Sequence, residues 1–163
     1  MSKDKPSPDF IVDIQHHHAP QTTQLPEDSL LQRWTCAVLM HEQLPAAELT
    51  LRLVDEVEMQ QLNVRYRGKN KPTNVLSFPA NIPDGIELDI PLLGDIILCV
   101  PVIEREAREQ QKVLFAHWAH MVMHGVLHLL GYDHQDDKAA DIMETKEIYL
   151  LQQCHYPNPY NET

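Results

Sequence analysis

His124, His128 and His134 fall in the pattern His-x-x-x-His-x-x-Gly-x-x-His, with Gly131 at the glycine position. Two histidines four residues apart on a helix have Cβ atoms roughly 5–6 Å apart on one face. Their imidazoles can then approach one ion, each nitrogen at about 2.0–2.1 Å. A glycine three residues further on can adopt the positive φ that ends a helix and reverses the chain, returning a third imidazole to the same ion. Three neutral nitrogen ligands leave a fourth position for water or substrate, the composition of a catalytic rather than a structural zinc site. A histidine pair alone is weak evidence; the glycine and third histidine carry the argument. The pattern therefore predicts one divalent ion per chain, Zn2+ first, with Ni2+ or Cu2+ also acceptable to three imidazoles.

His120 also lies four residues before His124. His120, His124 and His128 together span about 12 Å of helix, too far for one ion, so His117 and His120 are expected to pack or to support the ligands. Metzincin peptidases share the spacing but carry Glu directly after the first histidine as general base. Here that position is Gly125, which makes a metal-dependent peptidase or other hydrolase the second reading. A glycine in mid-helix costs about 1 kcal/mol relative to Ala, and this points to close approach of substrate or of another strand. Asp133, beside His134, could orient a ligand's N–H or cap the turn. Asp95, after Gly94, is the weaker candidate for that orienting role.

These residues need a scaffold. Phe10, Val12 and Ile14 alternate as a strand does. Glu27 to His41 carries Leu30, Leu31, Trp34 and Val38 at helical spacing. Leu49, Leu51 and Leu53 predict a half-buried strand. Asp55 and Glu58 resemble a capping box opening a helix that Gly68 ends. Asn74 to Phe78 is a short strand closed by Pro79, and the apolar run Ile96 to Val100 a central one. Pro101 suits a first helical turn, with Glu104, Glu106 and Glu109 on a solvated surface. Leu114 to Leu130 is the metal-bearing helix, with Trp118 and Met121 facing the core, and Asp136 to Gln153 the last helix. The expected fold is a single α+β domain over residues 1–163. A small mixed four-stranded sheet is covered by helices, the metal site lies at the end of a central helix, and residues from about 155 onward form a loose tail.

The 163 residues are 43% apolar and 23% charged, enough to bury a core in one domain. Cys36, Cys99 and Cys154 form no C-x-x-C pair, so sulfur-ligated zinc is not expected and a reducing cytoplasm is. No apolar stretch reaches the length of a membrane span, and no secretory signal is evident. A formal charge of −11 argues against a general nucleic-acid binder and gives no reason to expect DNA. Within that acidic chain Arg65, Arg67, Lys69 and Lys71 alternate without an intervening acid. Such a run is often only a solvated loop, yet arginine's planar fork matches phosphate oxygens.

The block Pro72-Thr-Asn-Val-Leu-Ser-Phe-Pro79, then Leu92-Leu-Gly-Asp95, then His117 to His134 resembles the bacterial YbeY family of endoribonucleases that process ribosomal RNA. The resemblance runs from the first strand to the last helix. It implies a compact αβα fold with one Zn2+ on His124, His128 and His134. It also implies single-strand-specific RNA cleavage in 16S rRNA 3′-end maturation and ribosome quality control, in the cytoplasm and with the small ribosomal subunit as partner. The family's important arginine maps to Arg67 in the Tyr-Arg-Gly-Lys block, leaving Arg65, Lys69 and Lys71 as further RNA contacts. A non-catalytic ribosome-associated protein with structural zinc is the third reading.

Overall fold

The computed structural model describes residues 8–19 and 24–161. Residues 1–7, 20–23 and 162–163 lie outside them, including the end of the expected tail. In chain order the elements are β1 (Asp9–His17), α1 (Asp28–His41), β2 (Ala46–Val54), α2 (Glu56–Arg67), β3 (Val75–Pro79), β4 (Leu92–Cys99), α3 (Val100–Glu109), α4 (Leu114–Leu129) and α5 (Asp137–Gln153). They form the expected single α+β domain.

Alternation along the strands decides which face each residue serves. β2 and β4 occupy the middle of a mixed sheet ordered β1-β2-β4-β3, with β1, β2 and β4 parallel and β3 antiparallel to β4. Leu49, Leu51, Leu53, Ile96 and Leu98 point to one side, where Trp34 of α1, Trp118, Val122 and Val126 of α4, and Met143 of α5 complete the main core. The opposite side buries Val54, Leu76, Ile97 and Cys99 against Met59 of α2 and Val102 of α3. Parallel strands buried on both faces read as apolar runs, which explains Ile96 to Cys99. The run ends there because Pro101 fits the first turn of a helix, so Val100 already belongs to α3.

Helix α4 is the hub. Eleven of its 16 residues are buried, as expected for a helix apolar around most of its circumference. Gly125 is where it meets the sheet. A Cβ built there would lie 2.8 Å from Ile96 Cγ2 and 3.2 Å from Val75 Cγ2, and Ser77 Oγ donates to the Gly125 carbonyl at 2.8 Å. The close neighbour anticipated from sequence is thus the sheet itself. Gly125→Ala should gain about 1 kcal/mol of helix propensity and lose about 1–3 kcal/mol to overpacking. A lowered melting temperature is expected; a raised one would mean that helix and sheet part easily.

Four local expectations fail, each for a physical reason. Asp55 makes no side-chain cap at the start of α2; its Oδ2 accepts from the Ala19 backbone N–H at 2.8 Å, and Glu58 pairs with Arg52 at 2.7 Å. Glu104 and Glu106 are not on a solvated face: Glu104 is buried, and Glu106 accepts from His117 and Asn74 at 2.9 and 3.2 Å. Asp95 pairs with Phe78, one residue out of phase with Ile96. The pleat therefore turns it to the α2 side of the sheet, away from α4. The tail is not loose over residues 156–160, because Tyr156 packs on the core edge, Lys112 Nζ donates to the Pro159 carbonyl at 2.8 Å, and Tyr160 reaches Glu147.

Candidate metal centre

Helix α4 ends in a Schellman turn. The Tyr132 N–H bonds to the Leu127 carbonyl at 3.1 Å and the Gly131 N–H to that of His128 at 3.0 Å. Gly131 sits at φ +106°, which a side chain would resist. The reversal brings His134 back beside the helix. Ring centroids are 6.4 Å apart for His124–His128, 5.6 Å for His124–His134 and 6.3 Å for His128–His134.

Hydrogen bonds settle the tautomers of the two helical histidines. His128 Nδ1 lies 2.9 Å from the Tyr132 carbonyl, which can only accept, so Nδ1 carries the proton. His124 Nδ1 lies 2.7 Å from Glu147 Oε2. Burial would raise the Glu147 carboxyl, but hydrogen bonds from His120 and His124 hold it down to about 2. It is therefore an anion that accepts only, and His124 Nδ1 also donates. In the neutral form of each ring the Nε2 lone pair is then the one left for a ligand. Fixing one imidazole nitrogen to a carboxylate or carbonyl is how metal-binding histidines are commonly oriented.

Glu147 serves a second imidazole: His120 Nε2 donates to its Oε1 at 2.8 Å, and the Tyr160 hydroxyl donates to the same oxygen. Burial lowers the His120 pKa, against the opposing pull of Glu147. Among the described residues, His120, His124 and Glu147 are the group whose ligand atoms all lie within 4.8 Å of one another, so this group could hold an ion. Sequence reasoning missed Glu147 altogether. The available signal was an acidic residue in the buried stripe Met143, Glu147, Leu150 of α5.

A cleft of about 680 Å³ opens over the imidazoles, lined by His124, His128 and His134 together with Arg67, Asn74, Ser77 and Asp133. The basic block contributes to it unequally. Gly68 ends α2 at φ +68°, and Asn63 Nδ2 donates to the Lys71 carbonyl at 2.7 Å, folding the loop back on its helix. Arg67, the last residue of α2, is thereby brought to the cleft wall. Arg65 instead lines a groove with Val57 and Gln61 and lies over the Tyr66 ring; Lys69 and Lys71 are exposed. Asp133 accepts from the Gln135 N–H at 3.2 Å, the turn-capping role of its two. Asp95 lines a different cleft, with Arg52, Glu58 and Tyr66.

A mixed four-stranded sheet with a buried central helix, whose end carries three neighbouring imidazoles lining one cleft with Arg67, defines the class: an α+β protein with a candidate metallohydrolase cleft. The family model described as Endoribonuclease YbeY matches residues 13–155. Endoribonuclease YbeY of Pseudomonas entomophila (strain L48) is 56% identical over 135 residues, 83% of this chain and 85% of that protein. Its counterpart in Pseudomonas syringae pv. syringae (strain B728a) is 55% identical over 138 residues, 85% and 82% of the two chains. The solution structure of TM1509 from Thermotoga maritima has a TM-score of 0.56 at 26% identity, covering 86% of this chain and 87% of that one. The chain belongs to the YbeY endoribonuclease family.

Proposed function

We propose that this chain is a zinc-dependent endoribonuclease that cleaves single-stranded RNA, with the ion on His124, His128 and His134 and the scissile phosphate held by Arg67. The observation that carries this reading is the shared cleft: three imidazoles and one arginine face the same space. The fixed donor roles of His124 and His128 Nδ1 fit an ion on the Nε2 side. An ion on His120, His124 and Glu147 would have to break two imidazole–carboxylate hydrogen bonds in a place where Glu147 is 1% exposed. Those three residues are better read as the support of one ligand.

Zinc held by His124, His128 and His134 would supply a water of pKa about 7 and Lewis acidity toward a phosphoryl oxygen. The chain's own residues do the remainder. Arg67 presents a guanidinium fork to two phosphate oxygens and offsets charge growing on them. Glu147 and the Tyr132 carbonyl hold the rings of His124 and His128, so that little reorganisation is needed at reaction. Arg67 is the one Lys or Arg side chain among the residues that line the cleft, so it is the cation placed to take the phosphate in a chain of formal charge −11.

The substrate follows from the relatives, which are named endoribonucleases. We place the activity in 16S rRNA 3′-end maturation and ribosome quality control, in the cytoplasm, with the small ribosomal subunit as partner. Among the described residues no helix is long and apolar enough to cross a membrane. A peptidase is the poorer reading, because Gly125 faces Ile96 and Val75 and leaves no room for the glutamate base such enzymes carry there.

Arg67→Ala provides the test. Arg67 is exposed, so its removal should leave fold and metal content unchanged while slowing cleavage of a labelled single-stranded RNA by on the order of 10²-fold, the loss typical of one transition-state donor. Wild-type cleavage by this variant would remove Arg67 from the mechanism.

A further inference from the structure

The turn that returns His134 to the site is anchored from a distance. Tyr132 Oη donates to Glu42 Oε1 at 2.5 Å, and Lys146 Nζ donates to Glu42 Oε2 at 2.9 Å. The same ammonium lies 5.0 Å from the centre of the Tyr132 ring, and His41 Nε2 stands 3.9 Å from Glu42 Oε2. Glu42 caps the end of α1 and Lys146 belongs to α5, so two helices far apart in sequence grip one turn residue. Among the described residues, Tyr132 is the member of residues 131–135 whose own side chain hydrogen-bonds to another element; the bond from Gln135 to Asp133 is internal. The backbone of this same Tyr132 closes the helix through its N–H and receives His128 Nδ1–H on its carbonyl. His134 follows two residues later.

We infer that Glu42 and Lys146 are positioning residues for the metal site: by holding Tyr132 they set the carbonyl that orients His128 and the turn that delivers His134. Helix α5 then supports the site through neighbouring residues, Glu147 on His124 and Lys146, by way of Glu42 and Tyr132, on His128. Neither Glu42 nor Lys146 touches an imidazole ligand, so their effect passes through the turn. The inference rests on the three-histidine reading above.

The test is Zn2+ affinity, measured by chelator competition, together with the visible absorption of the Co2+-loaded protein. Both are taken for wild type, Tyr132→Phe, Lys146→Met and the double variant. Losing an outer partner of a metal ligand typically costs 10–100-fold in affinity; one step further out, Tyr132→Phe should weaken Zn2+ binding about tenfold and shift the Co2+ bands. Because the residues act in one chain, the double variant should be no weaker than the worse single. Glu56→Gln, which breaks the exposed pair with Arg105, should change neither reading. Tyr132→Phe deletes one oxygen; should it nevertheless fail to fold, Lys146→Met carries the comparison. Wild-type affinity and an unshifted Co2+ spectrum in folded Tyr132→Phe and Lys146→Met would overturn the inference. His128→Ala, run alongside, separates the two claims: if it keeps Zn2+, the three-histidine site itself is wrong.

Discussion

His128→Ala is expected to emerge from purification folded, without its metal and without RNA cleavage. The ring sits on the exposed side of α4, so truncation opens no core cavity and should leave stability within about 0.5 kcal/mol. Its loss removes one of three imidazole ligands at once. Affinity should therefore fall by more than the roughly 10–100-fold that removal of an outer partner costs, and cleavage should fall with it. Metal analysis, melting temperature and a gel assay on labelled RNA check the three parts separately. Full zinc occupancy in the variant would refute His128 as a ligand, and unfolding would favour a structural zinc.

Glu147→Ala should damage fold and site together. The carboxylate is 1% exposed and accepts from His120 Nε2, His124 Nδ1 and the Tyr160 hydroxyl. Of these donors His120 is buried, and a buried donor left without a partner costs about 1–3 kcal/mol, a sizeable fraction of the 5–15 kcal/mol that holds most domains together. His124 also loses the bond that fixes its ring, so metal affinity should drop about 10–100-fold even where the fold persists. The pH dependence carries the sign of a depressed acid. Because the folded protein holds this carboxyl down to about 2, its contribution to stability is complete above the ordinary carboxylate range and is lost as pH falls from there toward 2. Glu147→Gln, which cannot ionise, should lack that part of the acid destabilisation. An acid-unfolding curve identical to wild type would mean that the hydrogen bonds to His120 and His124 do not hold in solution.

Local patterns carried the scaffold in the sequence. The alternation of Leu49, Leu51 and Leu53, the stripe of α1 and the stop at Gly68 each depend on residues within a few positions of one another. The histidine spacing was legible for the same reason, since a helix pair and a glycine turn are local geometry. What sequence did not disclose was which distant groups satisfy the buried polar atoms. Glu147 meets His124 across 23 residues, Glu42 meets Tyr132 across 90, and neither pairing leaves a periodic trace. Glu106 reads as one more charge on a helix surface until His117 and Asn74 are seen bonded to it. Asp95 is different: the pleat fixes it opposite Ile96, so once Ile96 is assigned to the α4 side, Asp95 cannot reach the histidines. Parity along β4 would have excluded it.

The most direct test of the central claim is a crystal structure of the zinc-loaded protein with anomalous difference maps collected on both sides of the zinc absorption edge. The account predicts a single peak about 2.0–2.1 Å from Nε2 of His124, His128 and His134, with His124 Nδ1 still bonded to Glu147. A peak held instead by His120, His124 and Glu147 would contradict it.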